Sequence, residues 1–271
     1  MVNKHLIYEG RRIAYQTAGK GYPILLLHGF CFDSAVWDDF QLDLIEEKFK
    51  VVRLDLPGFG KSDVWPDITI DKMAEVVKAV IDELKIAHCV LVGHSMGGYV
   101  GLSFANQFPI HLDGLSLFHS HPYADDAEKR DIRHKSIEFM KRQGHVLFVK
   151  QMIPSLFNAK FSNSNAFLLE KLLFRATRYQ SEGIIAAQSA MANRVDQSEV
   201  LKNIEIPVQF IIGKEDTAIP AEKSEAQVHL PIIADIQYLD KAAHMGMFEE
   251  RKKTQLLIRQ FASYCKEKAS M

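Results

Sequence analysis

Val90-Leu91-Val92-Gly93-His94-Ser95-Met96-Gly97-Gly98 is the stretch whose reading decides the fold. Its first three residues form an apolar run without alternation, the pattern of a strand buried on both faces. From residue 96 to 108 the chain suits a helix. Between the two lies Gly-x-Ser-x-Gly. So sharp a strand-to-helix turn forces the serine into strained backbone angles, and its neighbours must lack side chains. The Ser95 hydroxyl is then lifted clear of the sheet and faces the helix N-terminus. A bare Gly-x-Ser-x-Gly arises readily by chance. The strand–turn–helix setting and the additional Gly98 give this one its weight.

Outward from this turn the same rhythm repeats. Ile24-Leu25-Leu26-Leu27, Val51-Val52-Arg53-Leu54, Leu115-Ser116-Leu117-Phe118 and Val208-Gln209-Phe210-Ile211-Ile212 are further mostly apolar runs. Helical patterns over 70–84, 96–108, 220–229 and 248–265 separate or follow them. Strands alternating with helices predict an α/β architecture around a mostly parallel sheet. Near the start, Glu9-Gly10-Arg11 joins two short strands in a hairpin. The rhythm breaks between 122 and 200, where helices are expected over 126–143, 146–153, 165–179 and 181–192, with no strand pattern. That is too long for a connecting loop. The expected organisation is a core of 1–121 and 201–271 carrying a helical cap inserted at 122–200.

Composition narrows the function classes. The chain has 271 residues, 33 Lys plus Arg against 34 Asp plus Glu, and a formal net charge of −1. A nucleic-acid partner is not expected without a basic excess. No apolar run approaches a membrane span, and the first residues lack the apolar stretch of a signal peptide. The three cysteines, Cys31, Cys89 and Cys265, are widely spaced and form no Cys-x-x-Cys pair. Neither a disulfide framework nor a thiolate metal site is expected, and the cytoplasm is the expected compartment.

The chain resembles the α/β-hydrolase family over nearly its whole length. The resemblance rests on the serine turn, on His28-Gly29-Phe30 after an early strand and on Asp55-Leu56-Pro57-Gly58-Phe59-Gly60-Lys61-Ser62 after the next. An acid and a histidine then follow in the order Ser…Asp…His. It implies an α/β-hydrolase fold with Ser95 as nucleophile and His244, between the last strand and the last helix, as general base. Ala243 stands where the family usually has Gly. The acid should follow the preceding core strand, in Gly213-Lys214-Glu215-Asp216. Asp216 is favoured over Glu215, whose side chain should point elsewhere, and over Asp125 and Asp126 after the earlier strand. The family arrangement implies the backbone N–H groups of Phe30 and Met96 as the oxyanion hole. His28 should hold its loop. Phe118, His119 and His121, at the catalytic ends of strands, are candidate pocket residues.

Other motifs carry less. Gly58-Phe59-Gly60-Lys61-Ser62 looks like the end of a phosphate loop, but Asp55 stands where that loop needs Gly. Ser95 likewise occupies the middle glycine of a dinucleotide fingerprint. His119-Ser120-His121 lacks further ligands at metal spacing. The basic stretch 129–142 reads as a solvated amphipathic helix. The expected activity is hydrolysis of a small, fairly hydrophobic ester through an acyl-enzyme, with water as second substrate and no cofactor or metal. Lactone or carbon–carbon bond hydrolysis and acyl transfer would use the same groups. A ligand sensor on the same fold is the reading from another class, and turnover separates it from an enzyme.

Overall fold

The apolar runs become the middle of one eight-stranded sheet in the computed structural model, which describes residues 2–269. The strands are β1 (Val2–Tyr8), β2 (Arg11–Ala18), β3 (Pro23–Leu27), β4 (Lys50–Leu54), β5 (Cys89–His94), β6 (Leu112–Phe118), β7 (Val208–Gly213) and β8 (Ala234–Leu239). Their order is β1-β2-β4-β3-β5-β6-β7-β8. β1 and β2 form the hairpin, β2 joins β4 antiparallel, and every later pair is parallel. Each residue of β5 and β7 is buried, as mostly apolar runs require when helices cover both faces. β8, at the edge, is half-exposed.

The helices of the core are α1 (Gln41–Glu46), α2 (Ile70–Glu83) and α3 (Met96–Gln107). Six more, α4 (Ala127–Gln143), α5 (Val146–Ser155), α6 (Ala159–Ser164), α7 (Ala166–Ala176), α8 (Ser181–Ala192) and α9 (Ser198–Asn203), lie between β6 and β7. The chain ends through α10 (Ala221–Glu225), α11 (Gly246–Glu249) and α12 (Arg251–Ala269). Among the described residues no strand interrupts α4 to α9, and α9 packs against α3. The sequence pattern over 220–229 overestimates α10. After Glu225 the chain passes into turns closed by i→i+3 bonds as far as Leu230, where Gln227 is drawn inward to donate to the Ser120 carbonyl at 2.8 Å. The final helix is likewise broken, at Glu250.

Besides the packing of α9 on α3, two sets of hydrogen bonds among the described residues join the helices between β6 and β7 to the rest of the chain. Asp33, after β3, accepts from Arg175 at 2.8 Å and from the Tyr179 hydroxyl at 2.8 Å. In the other set, Leu156 and Asn158 hold the loop between β8 and α11. The Leu156 carbonyl accepts the His244 N–H at 2.9 Å, and Asn158 donates to Glu249 and to the Lys241 carbonyl. Among the described residues no helix is long and apolar enough to cross a membrane.

Candidate active site

β5 runs straight into α3 through Ser95, whose backbone sits at φ 52 and ψ −115. This left-handed conformation costs an L-residue about 1–2 kcal/mol. Two glycines make the turn possible. A Cβ on Gly93 would lie 2.3 Å from the Gly97 carbonyl oxygen, and one on Gly97 would lie 2.7 Å from the Leu27 oxygen. Both obstacles are backbone and cannot swing aside. Gly93→Ala is therefore expected to destabilise the fold by about 1–3 kcal/mol, as overpacked cores do. Urea unfolding of the variant beside the parent measures it, and an unchanged midpoint would refute the close-approach argument.

Ser95 and His244 line one cavity of about 480 Å³. Behind His244, its Nδ1 is 2.7 Å from Asp216 Oδ2. Asp216 is buried after β7, and its Oδ1 accepts from the Ala218 and Ile219 N–H groups at 2.9 Å each. Burial pushes this carboxyl up. The interactions with His244 and His119 outweigh that and hold it well below the usual carboxylate range. An ionised Asp216 can only accept, so His244 must carry its proton on Nδ1, leaving the Nε2 lone pair free. Glu215 is exposed, Asp126 caps α4, and Asp125 is taken up by Arg133 and Arg194.

Phe30 also lines the cavity. Neither its N–H nor that of Met96, first residue of α3, is used by a turn or loop bond among the described residues. His28 is buried and bridges two loops. Its Nε2 accepts the Leu56 N–H at 2.9 Å, while Nδ1 lies 2.8 Å from the Gly29 oxygen. The Asp55–Ser62 segment is a turn closed on itself, with Asp55 accepting from Ser34 and Lys61 N–H at 2.9 Å each.

Of the three candidate pocket residues, His121 reaches the cavity wall; Phe118 and His119 do not. Phe118 is fully buried at the end of β6 against Trp37 and His94. His119 lies behind Asp216. Its Nε2 accepts the Gly246 N–H at 3.2 Å, so Nδ1 carries the proton and lies 3.4 Å from Asp216 Oδ2 in a longer, poorly aligned contact. The sequence placed His119 correctly at the strand end, but the tight turn there, at φ 50, aims the ring inward. His94, not singled out beforehand, donates Nε2–H to the His244 carbonyl at 2.9 Å and steadies the same loop.

The described residues hold one grouping tight enough for a cation: His119, Asp216 and His244, with ligand atoms within 4.8 Å. His244 gives its Nδ1 proton to the carboxylate, and His119 spends its Nε2 lone pair on the Gly246 N–H and turns a protonated Nδ1 toward Asp216, so neither ring offers the group a lone pair for a metal. The set reads as a hydrogen-bonded unit and not as a metal site.

The model of a family described as having the alpha/beta hydrolase fold matches residues 22–142. A thermophilic esterase from Thermogutta terrifontis, solved with malate bound, superposes with a TM-score of 0.92 at 28% identity, covering 98% of this chain and 99% of that one. The chain shares the α/β-hydrolase fold with these proteins. Among its curated relatives is a pimeloyl-[acyl-carrier protein] methyl ester esterase from Methylococcus capsulatus, 25% identical over 257 residues, 91% of this chain and 96% of that one. An enol-lactonase from Burkholderia xenovorans shares the fold, with a TM-score of 0.88 at 21% identity over 96% of this chain and 100% of that one. This α/β-hydrolase is an enzyme, a hydrolase like those relatives.

Burial dictates how the hydrolase responds to acid. His28, His94, His119 and His121 all have lowered pKa values, foremost because burial disfavours the charged ring. For His94 the neighbouring His244 and His119 add to this, and for His121 Arg194 and Lys223 do. Unfolding lets these rings take up protons near pH ~6.5, so the unfolded state binds more protons and stability falls as pH drops below that value. The slope is about 1.4 kcal/mol per pH unit for each ring that stays neutral when folded. Urea unfolding at pH 7.5 and 5.5 should show the lower midpoint at 5.5; equal midpoints would refute the assignment. The depressed Asp216 adds a further loss only below pH ~4, where the unfolded carboxyl protonates.

Proposed function

We propose that this hydrolase cleaves carboxylic esters by an acyl-enzyme route. One arrangement carries the reading: a serine at a left-handed strand–helix turn shares a cavity with a histidine that an ionised aspartate orients. Ser95 Oγ attacks the ester carbonyl carbon while His244 Nε2 takes its proton. The Phe30 and Met96 N–H groups stabilise the oxygen that becomes negative. The tetrahedral intermediate collapses, His244 returns the proton to the departing alkoxide, and an alcohol leaves. Water then attacks the acyl-enzyme with His244 again as base, releasing the acid and restoring Ser95. Asp216 keeps the tautomer and stabilises the imidazolium.

The helices over 122–200 act in this reading as a cap. Phe148, Met152 and Leu156 from α5 and its end supply an apolar wall over Ser95, and Met191 of α8 extends it. The relatives named as esterases support the ester over other acyl compounds. Three free, buried cysteines fit a reducing compartment such as the cytoplasm. A series of p-nitrophenyl esters of increasing acyl length, run beside lactones, tests the activity. Continuous turnover of the esters is expected. A single near-stoichiometric burst would point to a sensor, and no reaction with any of them would remove the proposal. A serine-directed phosphonate should label Ser95.

A further inference from the structure

Helix α4 offers the cavity more than apolar cover. Lys129, Arg133 and Ser136 lie at i, i+4 and i+7, one stripe of the helix, and all three line the cavity. From sequence the basic stretch reads as a solvated amphipathic helix and not as an anion patch; two of its cations, Lys129 and Arg133, instead line the cavity. Lys223, on α10, lines the same cavity.

The partners of these charges differ. Arg133 is engaged, pairing through Nε with Asp125 and donating to Gln188 Oε1 at 3.1 Å. Asp125 also holds Arg194 at 2.8 Å, so one carboxylate serves two guanidiniums. Asp126, the other acid on the wall, is exposed and accepts the Lys129 backbone N–H at 2.7 Å. The ammonium groups of Lys129 and Lys223 have no hydrogen bond or ion pair among the described residues. Both side chains are half-buried. Burial lowers the Lys129 pKa, and Arg133, Lys223 and Arg194 push in the same direction against Asp125. His121, packed against Tyr99, is held neutral by burial and adds no further positive charge. Three cations thus line the cavity against two carboxylates, one of them shared with Arg194, and positive potential is focused in a partly enclosed space where an anion would relieve it.

We propose that the acyl chain of the substrate ends in a carboxylate, received between Lys129 and Lys223 while Ser95 attacks the ester at the other end. The substrate is then a half-ester of a dicarboxylic acid, with its methylenes against the apolar wall. This rests on the ester-hydrolase reading of Ser95. Where the sequence alone suggests a fairly hydrophobic ester, the cavity has both apolar and cationic side chains in its wall.

Two substrates of equal chain length test it, mono-p-nitrophenyl adipate and p-nitrophenyl hexanoate. The adipate ester is expected to show a kcat/KM about tenfold higher at low salt, the worth of a hydrogen bond to a charged group, and the advantage should shrink as salt is added. Lys129→Met and Lys223→Met should each lower the adipate-to-hexanoate ratio several-fold. Lys135→Met, on the exposed side of α4, should not change it. Calorimetry of adipate with Ser95→Ala gives a reading independent of turnover. Binding is expected there, and weaker binding in Ser95→Ala/Lys129→Met. A ratio near one in the parent, or a ratio unmoved by both lysine substitutions, overturns the anion site and leaves the esterase reading intact. Lysine-dependent adipate binding without hydrolysis of either ester would uphold the anion site and overturn the esterase reading.

Discussion

Ser95→Ala is expected to lower ester turnover by about 10⁵–10⁶-fold, the loss seen when a nucleophile that works as part of a unit is removed. The size follows from what remains. The Phe30 and Met96 N–H groups and the cavity still bind and polarise the carbonyl, yet His244 has no hydroxyl to activate, and water must attack unaided. The fold should not suffer, because alanine keeps the Cβ that the turn already accommodates. Thermal unfolding of the variant should match the parent. Ser95→Gly separates chemistry from strain. It should be equally inactive but more stable by about 1 kcal/mol, since glycine occupies φ 52 without penalty. An alanine variant retaining more than a few per cent of the parent activity would remove Ser95 from the role of nucleophile.

Asp216→Asn should cost about 10⁴-fold in kcat with little change in the fold. The reason lies in which atoms the amide must present. The Ala218 and Ile219 N–H groups, both directed at Oδ1, demand an acceptor there. The asparagine oxygen meets that demand, so its NH₂ takes the place of Oδ2 and points donors at His244 Nδ1. His244 must then offer a lone pair at Nδ1 and carry its proton on Nε2, where it can no longer accept from Ser95. His119 Nδ1–H, 3.4 Å from the same position, would also meet a donor in place of an acceptor. Steady-state kinetics on any ester that the parent cleaves gives the measurement. A loss below tenfold would mean that Asp216 does not set the tautomer.

How much of this was legible in the sequence depends on whether the signal is local. A strand buried on both faces is mostly apolar, so β3, β5 and β7 show in the sequence as apolar runs, with Gln209 of β7 buried only because Ser116 and Asp235 satisfy its amide. The turn at Ser95 also announces itself, because its glycines answer to backbone atoms a few residues away or on the neighbouring strand. Contacts across the fold leave no such trace. Nothing near His119 in the chain says that its ring will stand behind Asp216, since that depends on a left-handed turn at φ 50 and on the N–H of Gly246. Likewise the periodicity of α4 marks Ile137 and Met140 as inward but does not reveal that Lys129 and Arg133 line the cavity, or that Lys223 joins them there from α10. The depth of Phe118 follows from Trp37 and His94 closing over it, and both lie far from it in the chain.

The bond from the His244 N–H to the Leu156 carbonyl, with Asn158 gripping Lys241 and Glu249, carries a practical consequence for redesign. Grafting 122–200 from a relative to change substrate range would exchange not only residues of the cavity wall but also the struts that hold the His244 loop. Chimeras that carry a foreign segment at 156–158 should therefore turn over slowly even on substrates that fit, and restoring those three residues should recover kcat before it alters selectivity.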